Sequence, residues 1–317
     1  MVDRRLTASH EPQTAPAVLM VRPARFGHNA ETAGSNFFQR ATERPSDDAA
    51  NALREFDALA LALARAGVRV LEFAGQRDAA LPDEVFPNNW LSLHADGTAV
   101  LYPLFAPIRR RERRTDVLAE LREQHGYRIG RVVDLTRFES RGEFLEGTGS
   151  LVLDRQRHIA YACLSPRTHV APLAELGREL GYEAVTFRAV DRAGRPIYHT
   201  NVLLAIGTHF AAVCTAAIAD PAERRTVVTR LEDTGHELVD LNFDQLDAFA
   251  GNLLELRGSR GPVIALSAAA LRSLDGGARR TLERHGELVT ADVATIERVG
   301  GGSVRCMLAE VSLPSAR

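Results

Sequence analysis

The segment VGGGSVRCMLAEV, residues 299–311, guides the interpretation of the rest of the chain. Three consecutive glycines, Gly300 to Gly302, precede a run that is typical of a β-strand and contains Cys306. Consecutive glycines let a backbone bend or approach another group closely. A thiol beside Arg305 is a candidate nucleophile, because a nearby positive charge favours the reactive thiolate. The alternative is a buried structural cysteine on a terminal strand, the commoner role of a free cysteine.

The composition is that of an ordinary globular protein: 317 residues, 45% hydrophobic, 25% charged, net charge −2. No run is apolar enough to span a bilayer, and residues 1–16 lack the apolar region of a signal peptide. We therefore expect a cytoplasmic protein without membrane contact, with a disordered lead-in over residues 1–16. The basic run at 109–114 is interpreted as the solvated start of a helix rather than a nucleic-acid site, because the chain is near neutral.

Several chemistries are excluded by residues that the chain lacks. All 39 basic residues are arginine, so there is no lysine for a Schiff base, for pyridoxal chemistry or for a phosphate-binding loop of the Walker A type. The chain has no CxxC and no HExxH motif, which leaves a zinc site without support. The three cysteines, Cys163, Cys214 and Cys306, lie far apart, which argues against a disulfide framework. We expect neither a metal nor an organic cofactor.

A repeated unit of about fifty residues is visible along the chain. Hairpin patterns begin near residues 90, 150, 201 and 252, and one further step of 51 reaches Ser303. Helical patterns follow at 111–124, 170–180, 221–234 and 268–285, and a further strand follows most of them. Near the amino terminus, a strand at 18–22 precedes a helix that Ser46 should cap and Gly67 should end.

The period predicts an α/β fold built from hairpin–helix–strand units. The fifth unit has only one strand, at the carboxyl end, and the strand at 18–22 can complete it. We therefore predict a five-bladed α/β propeller, formed by a single domain over residues 17–317 and closed into a ring between the two termini.

Polar residues occupy comparable places in these units. Asn88 and Asn89 precede the first hairpin, Glu146 the second and His199 the third; Asn252 opens the fourth unit, and Cys306 lies at the start of the fifth. Equivalent positions in a pseudo-fivefold ring converge at one end of its axis. Each of these residues alone is most simply a surface or capping residue, but their shared position predicts one cleft that contains them all.

These motifs resemble the guanidine-modifying pentein superfamily: arginine deiminases, dimethylarginine dimethylaminohydrolases and amidinotransferases. The resemblance covers nearly the whole chain and is greatest to arginine-deiminase-related citrulline utilisation hydrolases. It rests on the ending GGGSVRCMLAEV and on the order Glu, His, Cys. The resemblance implies a nucleophile, a general acid/base and an orienting carboxylate at Cys306, His199 and Glu146. It also implies that Asp83 contacts the substrate, and that Arg110 and Arg167 bind the substrate carboxylate.

Two departures from the deiminase pattern concern charge. Asn88 and Asn89 stand where deiminases have an acidic pair, and Gly149 stands where they have an aspartate. Losing these charges disfavours a buried guanidinium, whereas amides offer both donors and acceptors to a neutral ureido group. The sequence therefore predicts hydrolysis of citrulline, an amino-acid substrate, to ornithine, carbon dioxide and ammonia. Arginine deiminase, methylarginine hydrolase and amidinotransferase activities remain alternatives, as does a non-catalytic pentein that binds a macromolecule, and homo-oligomer formation is left open.

Overall fold

Five three-stranded sheets form the β structure of the protein, whose computed structural model describes residues 11–40 and 45–315. The strands are β1 (Ala17–Arg22), β2 (Arg69–Ala74), β3 (Leu91–Leu93), β4 (Thr98–Leu101), β5 (Arg131–Asp134), β6 (Leu151–Asp154), β7 (Ile159–Cys163), β8 (Glu183–Phe187), β9 (Leu204–Ile206), β10 (Phe210–Val213), β11 (Glu237–Asp240), β12 (Leu254–Gly258), β13 (Gly261–Ser267), β14 (Glu287–Ala291) and β15 (Ala309–Glu310). In each sheet the central strand is antiparallel to one neighbour and parallel to the other.

Helices make the crossovers between the parallel strands, as parallel pairing requires. The α-helices are α1 (Ala30–Ala33), α2 (Pro45–Arg65), α3 (Pro107–Arg110), α4 (Thr115–Glu123), α5 (Gly147–Ser150), α6 (Val170–Leu180), α7 (Pro221–Asp233), α8 (Phe243–Asp247), α9 (Ala268–Ser273) and α10 (Gly276–His285). Most of the longer ones bury one apolar stripe; α2, for example, buries Phe56, Leu59 and Leu63. Ser46 lies inside α2 rather than before it, because Pro45 takes the first helical position.

The two ends of the chain meet in the fifth sheet, whose order is β15-β1-β2. Val18 pairs with Glu310 in the antiparallel half, and β1 pairs with β2 along its whole length. A bridge between Leu93 and Val311 joins this sheet to the first hairpin. The predicted pseudo-fivefold α/β architecture, completed by the amino-terminal strand, is confirmed.

Cys306 does not lie on a strand, and that prediction is wrong. A π-helical turn, Ile296–Gly300, leads into the glycines, and Cys306 belongs to a 3-10 turn over Val304–Met307. The amide of Cys306 donates to the carbonyl of Ser303, which closes the turn before β15 begins. The largely apolar composition of the segment reflects burial of the whole turn, in which every residue is buried.

Two predicted helices are interrupted. The helix expected at 111–124 begins at Thr115, and the preceding basic run is not wholly solvated, since Arg109 is 2% exposed. The helix expected at 268–285 is two helices, because the side chain of Asp275 accepts from the amides of Gly277 and Ala278 and starts a new one.

Residues 11–16, here called the N-terminal strap, contact every repeat unit: strands of four sheets and the turn between β3 and β4 in the remaining unit. Gln13 and Ala15 are buried, and Gln13 Nε2 donates to the carbonyls of Leu153 and Ile206 at 2.9 and 3.2 Å. The remaining contacts join Glu11 to Ala95 and Arg155, Ala15 to Arg257, and Pro16 to Arg69. The predicted disordered lead-in is therefore wrong for residues 11–16, and its first ten residues lie outside the described part of the chain.

Candidate active site

The candidate site is built from short helical turns that precede the first strands of the sheets. Asn89 lies in a 3-10 turn (Pro87–Asn89) before β3, and Glu146 directly precedes α5, which leads into β6. His199 precedes a 3-10 turn (Thr200–Val202) before β9, and Cys306 precedes β15. The repeat thus brings side chains from distant segments to one end of the ring.

Glu146 and His199 form a buried pair. The distance from His199 Nε2 to Glu146 Oε2 is 2.8 Å, and neither residue is more than 3% exposed. The other carboxylate oxygen, Oε1, accepts from the amide of Phe105 at 3.0 Å. A carboxylate held in this way fixes the orientation of the imidazole and selects the tautomer with its proton on Nε2.

The charges around this pair set its protonation. Burial alone would raise the pKa of Glu146, but Arg167, His199 and Arg109 outweigh it and hold that pKa well below its usual value. Burial is the main cause that lowers the pKa of His199; Arg167 and Arg109 act in the same direction and Glu146 opposes them, and the resulting pKa is about 4. At neutral pH the imidazole is therefore uncharged, and its Nδ1 is available to accept a proton.

Cys306 is 4% exposed and lines the same cavity as His199. Burial raises the pKa of its thiol, although the backbone at Ser303, the side chains of Asn252 and Asn201, and Arg305 act in the opposite direction. The thiol is therefore protonated at rest, and its activation requires a base. The glycines before it leave room for Phe86, which a Cβ on Gly302 would approach to 2.9 Å.

A small, partly open cavity lies between these groups. Its lining is largely polar and carries charges of both signs, together with the backbone of the three glycines. The lining residues are Thr32, Asn36, Asp83, Phe86, Asn89, Arg109, Arg167, Tyr198, His199, Gly300, Gly301, Gly302 and Cys306. A small molecule with both charged and neutral polar groups fits such a lining.

Arg109 organises one wall of the cavity. It bonds Glu112 with Nη2 at 2.9 Å and donates from Nη1 to Asn89 Oδ1 at 2.8 Å. Asp83 accepts from Asn29 Nδ2 at 2.7 Å and lies 3.6 Å from Arg109 Nε. Among the described residues, Asp83 Oδ1 and Asn89 Nδ2 have no hydrogen-bond partner. These two atoms are an acceptor and a donor left for a bound molecule.

Arg167 also lines the cavity, close to the Glu146 oxygen that lies 3.9 Å from Arg109 Nη1. Arg167 Nη1 lies 3.4 Å from Glu146 Oε2, and its Nη2 donates to the hydroxyl of Ser35 at 2.6 Å. The guanidinium also lies 4.7 Å from the centre of the Tyr198 ring. Its Nε has no partner among the described residues, so Arg167 can still donate to an anionic group in the cavity.

The structure separates two pairs of neighbours that the sequence treated together. Arg110 is not among the residues that line the cavity: it donates to the carbonyls of Leu104 and Phe105 and pairs with Glu139, so the structure gives no support to the predicted substrate contact at Arg110. Arg109 lines the cavity instead, because successive residues of the short helix α3 point in different directions. Asn88 likewise does not line the cavity: it is fully buried, and only Asn89 reaches it.

Two further asparagines contact the site: Asn252, which its position in the repeat placed in the predicted cleft, and Asn201, which the sequence analysis missed. Asn201 and Asn252 place their side-chain nitrogens 3.5 and 3.4 Å from Cys306 Sγ. Their separation of 51 residues, one period of the repeat, was a usable signal. The structure also explains why a glycine occupies position 149: a Cβ there would lie 2.5 Å from Asn89 Nδ2 and 2.8 Å from His199 Nδ1. A larger residue does not fit against this pair without displacing it.

Other kinds of site have no counterpart in the described ranges. Within residues 11–40 and 45–315, no cluster of three or more His, Cys, Asp and Glu side chains could hold a metal ion. No helix in the same ranges has the length and apolarity needed to cross a membrane.

The fold and the site together define the class of protein. Five sheets in pseudo-fivefold order, with a buried Glu–His pair and a cysteine at one end, place the chain in the pentein superfamily of guanidine-modifying enzymes. A sequence profile described as N,N dimethylarginine dimethylhydrolase, eukaryotic, matches residues 22–313, and the chain belongs to that family. It is thus an enzyme of the cysteine-dependent guanidino-group hydrolase class, as predicted. A search of curated proteins finds no match.

Solved structures share the fold at low sequence identity. ArgZ, an arginine dihydrolase from the ornithine–ammonia cycle in Cyanobacteria, matches with a TM-score of 0.70 and 17% identity over 94% of this chain, which spans only 41% of ArgZ. The N-terminal domain of ArgZ, in a variant covalently bound to a reaction intermediate, matches over 99% of its length with a TM-score of 0.71. A dimethylarginine dimethylaminohydrolase adduct with S-methyl-L-thiocitrulline matches with a TM-score of 0.65 and 16% identity, covering 93% of this chain and 99% of that one.

Proposed function

We propose that the protein hydrolyses the ureido group of citrulline to give ornithine, carbon dioxide and ammonia. The observation that carries this proposal is the orientation of Asn89. Its oxygen is held by Arg109 at 2.8 Å, so its NH₂ group is turned away from Arg109 and has no partner among the described residues. A buried donor of this kind requires an acceptor.

The two rival substrates differ in whether they supply that acceptor. The ureido group of citrulline has a carbonyl oxygen, whereas a guanidinium offers only N–H donors. A guanidinium beside Asn89 would leave the NH₂ group unsatisfied and would also face Arg109. The free Oδ1 of Asp83 suits either substrate, since both carry N–H groups. The contact at Asn89 therefore favours citrulline.

The proposed reaction uses the groups already described. His199 takes the proton of the Cys306 thiol, Sγ bonds to the ureido carbon, and the C–N bond breaks as His199 returns a proton to the leaving nitrogen. Water then attacks the same carbon, gives a proton to His199, and the S–C bond breaks. The product is a carbamate, which decomposes to carbon dioxide and the remaining amine. Glu146 stabilises the charged imidazole in both steps.

Arg167 is proposed to bind the α-carboxylate of the substrate, with Arg109 as a second cation in the same cavity. Both guanidinium groups line the cavity, and Arg167 Nε is unpartnered within the described residues. A guanidinium with a free N–H is a strong, charge-assisted donor to a carboxylate.

A second candidate is hydrolysis of arginine or a methylated arginine. It is favoured by the description of the family and by the buried carboxylate of Asp83, which could pair with a guanidinium. Burial raises the pKa of Asp83, whereas Arg109 and Asn29 act in the opposite direction. The AgrE structures, one of which holds L-arginine in a Cys-to-Ala variant, share the fold at 17% identity.

The experiment compares citrulline, arginine and methylarginines as substrates of the purified protein, with ornithine and ammonia measured separately. We expect kcat/KM for citrulline to exceed that for arginine by about 5- to 150-fold, because one buried unsatisfied donor costs about 1–3 kcal/mol. Cys306→Ser should abolish turnover, and Cys214→Ser, which alters a buried thiol outside the cavity, should not.

Two results would count against the proposal. A higher kcat/KM for arginine or a methylarginine would assign the site to guanidino substrates. Near-normal turnover by Cys306→Ser, or a substrate adduct located by mass spectrometry on another residue, would exclude Cys306 as the nucleophile.

A further inference from the structure

The sulfur of Cys306 is contacted by two amides from different repeat units. Asn201 Nδ2 lies 3.5 Å and Asn252 Nδ2 lies 3.4 Å from Sγ, and neither asparagine is more than 1% exposed. Asn201 follows His199 by two residues, and Asn252 directly precedes the fourth hairpin. Within the described residues, these side chains supply the hydrogen bonds to Sγ.

The orientation of Asn252 is fixed by its other contacts. Its Oδ1 accepts from the amide of Arg305 at 3.1 Å, and its Nδ2 donates to the carbonyl of Asn201 at 2.8 Å. Turning the amide over would break both hydrogen bonds. One N–H of Asn252 is thus held toward the carbonyl and the other is left for the sulfur. The reverse contact, from the thiol to Asn252 Oδ1, is longer at 3.7 Å.

The cation next to the cysteine in sequence does not contact the sulfur. The guanidinium of Arg305 donates to the carbonyl of Leu308 at 2.8 Å and to Glu310 at 2.7 Å, so its charge is largely balanced on the side away from the cavity. The sequence interpretation, in which Arg305 activates the thiol, therefore has no direct contact to support it.

The ionisable groups that face the sulfur from the other elements carry charges of both signs. Those lining the shared cavity are Asp83, Arg109, Arg167, Tyr198 and His199. Tyr198 donates its hydroxyl to the carbonyl of Gly301 at 2.7 Å and is not directed at the sulfur by that bond. The two asparagine amides are the described donors at contact distance from Sγ.

We propose that Asn201 and Asn252 are further catalytic residues that stabilise the thiolate of Cys306. When the thiol proton leaves, each N–H becomes the donor of a charge-assisted hydrogen bond, which is shorter and stronger than a bond to a neutral thiol. Because both amides are already in place, no reorganisation is needed when the charge develops. The same two bonds hold the sulfur when it is expelled in the second step. This inference rests on the proposed role of Cys306 as the nucleophile.

The test measures the ionisation of Cys306 without substrate. The rate of alkylation by iodoacetamide is followed against pH, with the modified cysteine identified by mass spectrometry, and thiolate absorbance at 240 nm provides a second readout. In Asn201→Ala we expect the thiol pKa to rise by about one unit, so that the alkylation rate at neutral pH falls about tenfold. Asn201→Asp, which places a carboxylate beside the sulfur, should raise the pKa further.

Several features separate this role from a purely structural one. The limiting alkylation rate at high pH should stay within about twofold of wild type, since the fully ionised thiolate remains accessible. Asn242→Asp is the matched control: it makes the same chemical change at the N-cap of α8, where aspartate caps equally well. Asn252→Ser tests the second amide; if that variant does not fold, as judged by circular dichroism, the Asn201 variants decide alone.

The outcomes distinguish this proposal from the proposed function. An unchanged thiol pKa in the folded Asn201 variants would overturn the role of the amides, even if citrulline is turned over. A raised thiol pKa in the Asn201 variants, together with no citrulline hydrolysis by the wild type, would support the role of the amides and exclude citrulline as the substrate.

Discussion

Replacing Asn89 by aspartate should reverse the preference of the site between neutral and cationic substrates. The substitution keeps the oxygen that accepts from Arg109 and replaces the unpartnered NH₂ group by a second oxygen. The structure makes Asn89→Asp the informative single change, since Asn88 does not line the cavity and a charge placed there would be buried without reaching the substrate.

The magnitude follows from the contacts at that position. Citrulline would lose a hydrogen bond worth about 1 kcal/mol, and its ureido oxygen would be left buried against a carboxylate at a further cost of about 1–3 kcal/mol. A total near 3 kcal/mol corresponds to roughly a hundredfold loss in kcat/KM. Arginine would gain a charge-assisted hydrogen bond, partly offset because Arg109 already pairs with the new carboxylate, so we expect about tenfold tighter binding.

The assay is competitive inhibition by arginine of citrulline turnover, at fixed pH and ionic strength, in the wild type and in Asn89→Asp. Asn242→Asp, remote from the cavity, serves as the control. The reasoning is refuted if arginine binds the wild type as tightly as citrulline does, or if the variant changes neither constant by more than about threefold.

The remaining predictions concern carboxylate binding, pH dependence and stability. Arg167→Ala should lower kcat/KM for citrulline at least about tenfold and should affect a decarboxylated analogue much less. Arg110→Ala should change kcat/KM for either compound by no more than about threefold. Equal losses in the two variants would contradict the placement of these side chains. A protonated imidazole cannot accept the thiol proton, and the pKa of His199 is lowered to about 4, mainly by burial. We therefore expect kcat/KM to fall only as the pH drops through about 4. A fall in kcat/KM near pH 6.5 would instead indicate a histidine with an unperturbed pKa. Gln13→Ala should reduce the free energy of unfolding in urea by about 2–3 kcal/mol, since it removes the hydrogen bonds that Gln13 makes to three buried backbone groups. The control is Gln76→Ala, which removes an exposed hydrogen bond. A loss no greater than that of the control would show that Gln13 does not hold the strap.

The fold was predictable because its signals are repeated. Each hairpin pattern is short and ambiguous alone, but the recurrence of about fifty residues identifies the unit, and the unpaired strand at the carboxyl end indicates how the ring closes. The prediction that was wrong concerns the local structure around Cys306. Cys306 was placed on a strand because it lies in a short, largely apolar run, whereas burial on all sides gives a similar composition in a tight turn.

The candidate site was predictable to within one residue at several positions. Position in the repeat identifies the turn that reaches the cavity, but not which of two neighbours points inward. Arg109 and Arg110, like Asn88 and Asn89, are chemically identical pairs that differ only in direction. That direction depends on the phase of a short helix or 3-10 turn, for which a few residues of sequence contain no periodic signal.

The N-terminal strap also sets a constraint on the order in which the chain can fold. Residues 11–22 are the first of the described segments to be synthesised, yet their partners lie in every repeat unit, and β1 pairs with β15 at the other end of the chain. The pairing with β15 requires closure of a long loop before any contact is gained, which makes it a slow and late step. Until then the edge of the apolar strand AVLMVR that faces β15 has no partner strand, a condition that favours aggregation. Removal of a few described residues from either end of the chain therefore acts on the same sheet.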